Sequence, residues 1–205
     1  MKKLYIAGPE VFLPNAREQM NRKAALVRSY GFEPLCPGDL DIPPQKTKKA
    51  LGLAISRVNE GMMNEAHGII ANLTPFRGPW ADVGTVFELG YMCALGRLIA
   101  AYSNVADDHY TRLLAYYGNR ITEGADGHAR GPDGLSLENF GMADNLMLDG
   151  GVERRGGIVA THHAAPDELY TDLTAFEACL KHLSMRPDAG DEGLRPEELD
   201  ASNDG

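Results

Sequence analysis

Apolar residues fall along the first half of the chain in short runs that alternate with longer periodic stretches. Leu4 to Ala7 is an apolar run closed by Gly8-Pro9, the pattern of a buried strand ending in a turn. From Asn15 to Tyr30, Met20, Ala24, Leu26 and Val27 sit among charged residues and Gly31 follows, which predicts an amphipathic helix with a glycine stop. Phe32 to Cys36 reads as a second strand ended by Pro37-Gly38, and Asp39 to Pro44 as a loop. From Lys46 onward Leu51, Ile55, Val58, Met62 and Ala66 recur every three or four residues, the signature of a long helix, with Asn59 at the edge of the stripe. Gly68 to Leu73 is a third strand, Thr74 to Gly84 a loop rich in Gly and Pro, Thr85 to Leu95 an apolar helix ending at Gly96, and Leu98 to Tyr102 a fourth strand. This β-α-β-α-β-α-β order predicts an α/β fold: a doubly wound parallel sheet, Rossmann- or flavodoxin-like, with helices on both faces.

After Ser103 the periodicity weakens. Tyr110 to Tyr117 reads as helix, Gly118 to Gly134 as a long glycine-rich loop, and Leu146 to Leu148 as a short apolar run. Asp167 to Leu183 carries Leu169, Leu173, Phe176 and Leu180 at helical spacing and is expected to be the last helix. No internal repeat and no second hydrophobic core is evident. The expectation is one domain over residues 1–184 and a tail over 185–205.

Composition narrows the function classes. The net charge is −9 over 205 residues, which argues against a general nucleic-acid binder because phosphate neutralisation needs clustered Lys and Arg. Seven acids against two arginines from Arg186 to Gly205 place −5 of that charge in the tail, whose Gly, Pro, Asp and Glu content predicts disorder. No apolar run approaches the ~20 residues that span a bilayer, so no membrane role is expected. The start of the chain is too short in its apolar part for a signal peptide. Cys36, Cys93 and Cys179 are odd in number and far apart, which speaks against a disulfide framework or a cysteine-rich zinc site and for a reducing cytoplasm.

In an open parallel sheet, ligands bind beyond the carboxyl ends of the strands. The loops meeting there are Gly8 to Pro14, Thr74 to Gly84 and the segment after Tyr102. Two carboxylates, Asp82 and Glu88, flank the helix that follows the third strand. A carboxylate pair is the usual equipment for breaking a glycosidic bond. Local spacing gives Glu88 a second reading: Thr85-Val86-Phe87-Glu88 is a T-x-x-E capping box, in which Glu88 would only close the helix. Asp82 alone reads as a turn residue, Arg77 as a solvated loop charge, and Tyr5 as a core residue whose hydroxyl needs a partner.

Four motifs, in order, carry a resemblance: Tyr5-Ile-Ala-Gly-Pro9 with Val11-Phe12; Ala71-Asn-Leu-Thr-Pro-Phe-Arg-Gly78; Asp82-x-Gly84-Thr85-x-x-Glu88-x-Gly90; and Asn145-Leu-Met-Leu148. Together they resemble the nucleoside 2-deoxyribosyltransferase family, in particular the protozoan-type branch with the Pro-Phe-Arg-Gly loop. The resemblance covers about residues 3–152 and, more loosely, the last helix. It implies that Glu88 is a nucleophile, that Tyr5 orients it, and that Asp82 contacts the sugar. Asn59 would lie near the leaving base, Gly8, Pro9 and Phe12 would wall the base, and Arg77 and Gly78 would line the base side. Asn145 and Met147 would enter a neighbouring subunit's site, which implies a homo-oligomer. The implied substrates are a 2′-deoxyribonucleoside and a free purine or pyrimidine base, with no cofactor and no metal. Two rivals stand beside base transfer: an N-glycosidase acting on nucleosides or their 5′-monophosphates, and a non-catalytic nucleotide-sensing module.

The sequence departs from the family at His67, where an aspartate is usual; a role in local structure is expected there. Glu153 to Pro166 has no counterpart in the family and is expected to be a solvated loop, with His162-His163 lacking a third partner for a metal.

Overall fold

The short apolar runs of the first half of the chain form the strands of a parallel sheet. In the computed structural model, which describes residues 1–186, β1 (Lys3–Ala7), β2 (Glu33–Leu35), β3 (Gly68–Asn72), β4 (Leu98–Ser103) and a fifth strand (Val159–Thr161, β7 below) pair in parallel. Their order across the sheet is β2-β1-β3-β4-β7. Leu4 and Ile6 of β1, Ile70 of β3 and Leu98, Ala100 and Tyr102 of β4 face α1 (Ala16–Ser29) and the last helix, α6 (Thr174–Ser184). Tyr5, Ala7, Ile69, Ala71, Ile99 and Ala101 face the other way, onto α2 (Lys48–Glu65), α3 (Val83–Ala94) and α5 (Leu146–Glu153). Both faces of the central strands are thus buried, which is why their sequences read as near-continuous apolar runs. The fold is a single flavodoxin-like domain.

Local chemistry explains most element ends. Gly31, with φ of 81°, follows α1 in the left-handed conformation; its N–H and that of the buried Phe32 donate to Arg28 and Val27 carbonyls, a Schellman closure. Thr47 caps α2 by accepting from the Ala50 N–H at 3.1 Å.

Four expectations are corrected. The stretch from Glu153 to Pro166 is not simply a solvated loop: it holds β7, whose residues pair with Ala101 to Ser103 of β4. Three residues with no alternation carry too little pattern to be recognised. The Gly118–Gly134 loop contains a small hairpin, β5 (Thr122–Glu123) and β6 (Ala129–Arg130), after α4 (His109–Tyr116). The run at Leu146 opens a full helix, α5. The last helix begins at Thr174 rather than Asp167, because residues 167–173 form turns over the carboxyl edge of the sheet, with the Asn104 amide donating to the Leu169 and Asp172 carbonyls at 2.9 and 3.0 Å. The acidic stretch from Pro187 onward lies outside the described residues; Arg186, which the sequence reading assigned to the tail, donates to the carbonyls of Arg155 and Gly156. Among the described residues no helix is long and apolar enough to cross a membrane.

Candidate active site

A cavity of about 590 Å³ opens at the carboxyl end of β1. The chain leaves β1 toward β2 on one side and β3 lies on the other, so this is the point where the strand order reverses and where open α/β sheets place ligands. Apolar side chains from α1, α2 and the loop after β2, among them Met20, Leu40, Ile55 and Val58, form one end. Asp82, Thr85 and Glu88, from the start of α3, form the other. Of the residues singled out by sequence, Gly8, Phe12, Asn59, Asp82 and Glu88 line it together.

Tyr5 stands directly behind Glu88. It belongs to the β1 face that packs on α3, is fully buried, and its hydroxyl donates to Glu88 Oε1 at 2.6 Å. Burial and the neighbouring carboxylate push the Tyr5 phenol well above its usual range, so it remains a proton donor. Burial also pushes Glu88 up to about 7, with Asp82 adding to the rise and the Tyr5 hydrogen bond opposing it. Near neutrality Glu88 therefore exists in both forms: a carboxylate held at one oxygen and free at the other, and an acid.

The capping-box reading of Glu88 is overturned. The helix starts three residues earlier than that box requires, with Asp82 at its N-cap; Asp82 Oδ2 accepts from the Thr85 N–H at 3.0 Å and the Thr85 hydroxyl at 3.2 Å. An aspartate caps as well as a threonine. With its N–H taken by Asp82, Thr85 has no use for Glu88, which points from the helix interior toward Tyr5.

The loop carrying Asp82 is braced from behind. Arg112 of α4 donates to the Pro79 carbonyl at 3.0 Å, to the Asp107 and Ala143 carbonyls, and to Asp144 Oδ2 at 3.0 Å. Asp144 in turn accepts from the Ala81 N–H at 3.2 Å. The pair is buried and nearly every polar atom is used, which fixes the backbone just ahead of the cap.

On the opposite wall Phe12 stacks on Phe76, with ring centroids 5.2 Å apart. The Arg77 guanidinium lies over both rings, at 5.3 and 4.7 Å. Arg77 holds φ of 55°, unusual for a side chain other than glycine. Tyr170, from the turns before α6, donates to the Pro75 carbonyl at 2.6 Å and meets Phe76 edge-on. Arg77 and Gly78 thus do not line the cavity; Arg77 backs Phe12. Pro9 is buried at the start of the short 3-10 turn Pro9–Phe12. Asn145 caps α5, accepting from the Met147 N–H at 3.0 Å and donating to Glu138 at 2.8 Å. Met147 is 67% exposed, and neither it nor Asn145 lines this chain's cavity. His67 is satisfied locally, its Nδ1 accepting from the Lys3 N–H at 3.2 Å.

Two functional-looking groups escape a sequence reading. Arg17 of α1 lines the cavity, held by Asp39 at 2.8 Å and the Gly38 carbonyl at 2.6 Å. Glu10 and Lys23 form a fully buried ion pair beneath the Gly8–Phe12 wall. Neither has a motif; only the spacing of Lys23 on the inward face of α1, in line with Met20 and Val27, hints that it is buried.

Comparison with known proteins places this arrangement. The structure is similar to that of a 2-desoxiribosyltransferase from Leishmania mexicana, at 32% identity, a TM-score of 0.59, and coverage of 89% of this chain and 99% of that one. It shares its fold with a conserved protein from Enterococcus faecalis V583, at 17% identity and a TM-score of 0.53. An uncharacterised protein of Schizosaccharomyces pombe is 28% identical over 194 residues, covering 89% of both chains. Residues 4–147, which include Tyr5 and the cavity-lining Asp82 and Glu88, match the nucleoside 2-deoxyribosyltransferase family, and the chain belongs to that family.

Proposed function

We propose that the protein exchanges the base of a 2′-deoxyribonucleoside, with Glu88 as nucleophile. The observation that carries this reading is the Glu88 carboxylate at the cavity edge, one oxygen held by Tyr5 at 2.6 Å. In the first step Oε2 attacks C1′ through an oxocarbenium-like transition state as the C1′–N bond breaks. The base leaves with a proton on a ring nitrogen, taken from water or a nearby acid, and a 2-deoxyribosyl ester of Glu88 remains. A ring nitrogen of the second base then attacks C1′ from the opposite side, loses its proton and frees the carboxylate, so configuration is retained. Tyr5 holds Oε1 throughout, and Asp82 contacts the sugar. Gly8 and Phe12 wall the base, with Arg77 behind Phe12 and Asn59 near the leaving group. The Pro75-Phe76-Arg77-Gly78 loop supports a place in the protozoan-type branch. No step needs a cofactor or a metal.

The cavity favours a substrate without a 5′-phosphate. The positive side chain lining it, Arg17, is already paired with Asp39. The N-terminus of α3, where an anion would otherwise sit, is occupied by the Asp82 carboxylate. Trp80, Val83 and Phe87 beside the site, with Met147 on α5, are exposed apolar side chains. They support a homo-oligomer in which Asn145 and Met147 approach a neighbour's cavity, and sedimentation velocity checks this.

The deciding experiment incubates the protein with deoxyinosine and adenine and follows deoxyadenosine by chromatography. Exchanged nucleoside supports transfer; hypoxanthine released without it makes the protein a hydrolase; neither product makes it a binding module. A slow fluorinated deoxynucleoside should leave its sugar on the peptide carrying Glu88, and an adduct elsewhere would refute the assignment.

A further inference from the structure

A buried ion pair lies outside the cavity, directly under its wall. Glu10 sits in the 3-10 turn two residues after Gly8 and two before Phe12, both of which line the cavity. Its side chain turns inward and is fully buried. One oxygen, Oε1, accepts from Lys23 Nζ, from the Asn72 amide at 2.7 Å and from the Tyr102 hydroxyl at 3.0 Å. Those donors come from α1 and from the ends of β3 and β4. Lys23 also lies over the rings of Tyr102 and Phe176, at 5.3 and 5.1 Å, which ties α6 to the same point. The second oxygen, Oε2, has no hydrogen-bond partner and packs under Gly8, 2.1 Å from where a Cβ on that residue would stand. Gly8 is extended, with φ of 166°, so the close approach of Glu10 and not the backbone conformation demands glycine there.

Stability alone is a poor reason for such a pair, because apolar residues of the same volume would hold the core as well. What three converging donors provide is placement. The outer side of the turn is lightly held: Val11 is 40% and Phe12 55% exposed, and the packing there is the Phe12 ring against Phe76 and Arg77. We infer that Glu10, held by Lys23, Asn72 and Tyr102, is a positioning residue that sets where Gly8 and Phe12 stand and thereby the affinity for the base, without touching it. The kinetic arm of this inference rests on the base-exchange reading.

The test is Glu10→Gln, which keeps the shape and removes the charge that Lys23 needs. KM for the acceptor base should rise about tenfold, while kcat at saturating base stays within about twofold of wild type. Amide hydrogen exchange over Gly8–Leu13 should accelerate while β4 and α6 keep wild-type protection. Should Glu10→Gln fail to fold, Tyr102→Phe removes one donor and keeps the ring against Phe176; KM should then rise about threefold, again with kcat held. Wild-type KM in a folded variant, or a loss of protection spread evenly over the sheet, overturns the inference. If the wild-type protein exchanges no base, the functional reading fails by itself and the protection pattern alone decides the positioning role.

Discussion

Replacing Glu88 by Gln separates a nucleophile from a helix cap. Glutamine keeps the volume and leaves Oε1 as an acceptor for the Tyr5 hydroxyl, but it carries no charge. In the folded protein Glu88 titrates at about 7, against an ordinary 4.5, mainly because burial penalises the ionised form. Between those values the folded state holds a proton that the unfolded chain has lost. Stability contributed by this group therefore falls as pH rises through that window and stays low above it. The full shift corresponds to about 3 kcal/mol. The side chain is only partly buried, so screening by solvent reduces the expected gain to about 1–2 kcal/mol. Glu88→Gln should thus match wild type at about pH 4.5 and exceed it at about pH 8 by that amount, a rise in Tm of about 3–6 °C for a chain of this size. Thermal unfolding of both proteins at the two pH values measures the difference directly, since every other titrating group cancels. Exchange activity should vanish in the same variant. A Glu88→Gln protein less stable than wild type at pH 8, or equally stable at both pH values, would refute the argument that burial strains this carboxylate.

Tyr5→Phe removes the hydrogen bond that favours ionised Glu88, so the acid limb of kcat/KM should move up from about 7 by roughly one unit; an unmoved limb would separate Tyr5 from the carboxylate. Asp82→Asn keeps an N-cap and should change stability by less than about 0.5 kcal/mol, whereas Asp82→Ala should cost about 1 kcal/mol; urea titration distinguishes the two. If Asp82 contacts the sugar, Asp82→Asn should nonetheless slow exchange. Arg112→Met leaves Asp144 buried without its partner and the Pro79 carbonyl unpaired, at a cost of about 3–5 kcal/mol by chemical denaturation.

The half of the fold that hydrophobic pattern can specify was legible. Leu4 to Ala7, Gly68 to Asn72 and Leu98 to Ser103 are buried on both faces, so their apolar runs announce them, and α1 and α3 stop at glycines that close their last turns. From Asn104 to Leu173 the segments are tied to one another by scattered apolar contacts such as Val152 as well as by polar bonds between distant residues. Asn104 with the Leu169 carbonyl, Arg112 with Asp144, Tyr170 with the Pro75 carbonyl and Arg155 with the Cys93 carbonyl are all of this kind. Such pairs leave no period in the sequence, and β7 is only three residues long, with Val159 packing on one core, Ala160 on the other, and its backbone pairing with β4.

The same division runs through the site. The contact between Tyr5 and Glu88 was expected from motifs, yet the orientation of Glu88 turned on where α3 begins, and that rests on a competition between two good caps. Asp82 wins because a cap at Thr85 would leave residues 82–84 outside the helix, while a cap at Asp82 lets the Thr85 N–H and hydroxyl both find the same carboxylate. Once Asp82 takes that N–H, Glu88 is released from the helix end and can face the β1 hydroxyl, so the residue that caps the helix also frees the residue that the proposed chemistry needs. Glu10 has no comparable signal, since an acid between Pro9 and Val11 reads as any exposed turn. Its role follows only from the convergence of Lys23, Asn72 and Tyr102, residues up to 92 positions from Glu10, on one oxygen beneath the wall. A motif can name the atoms that react, but the placement of the surface they react on is set by contacts of this long-range kind.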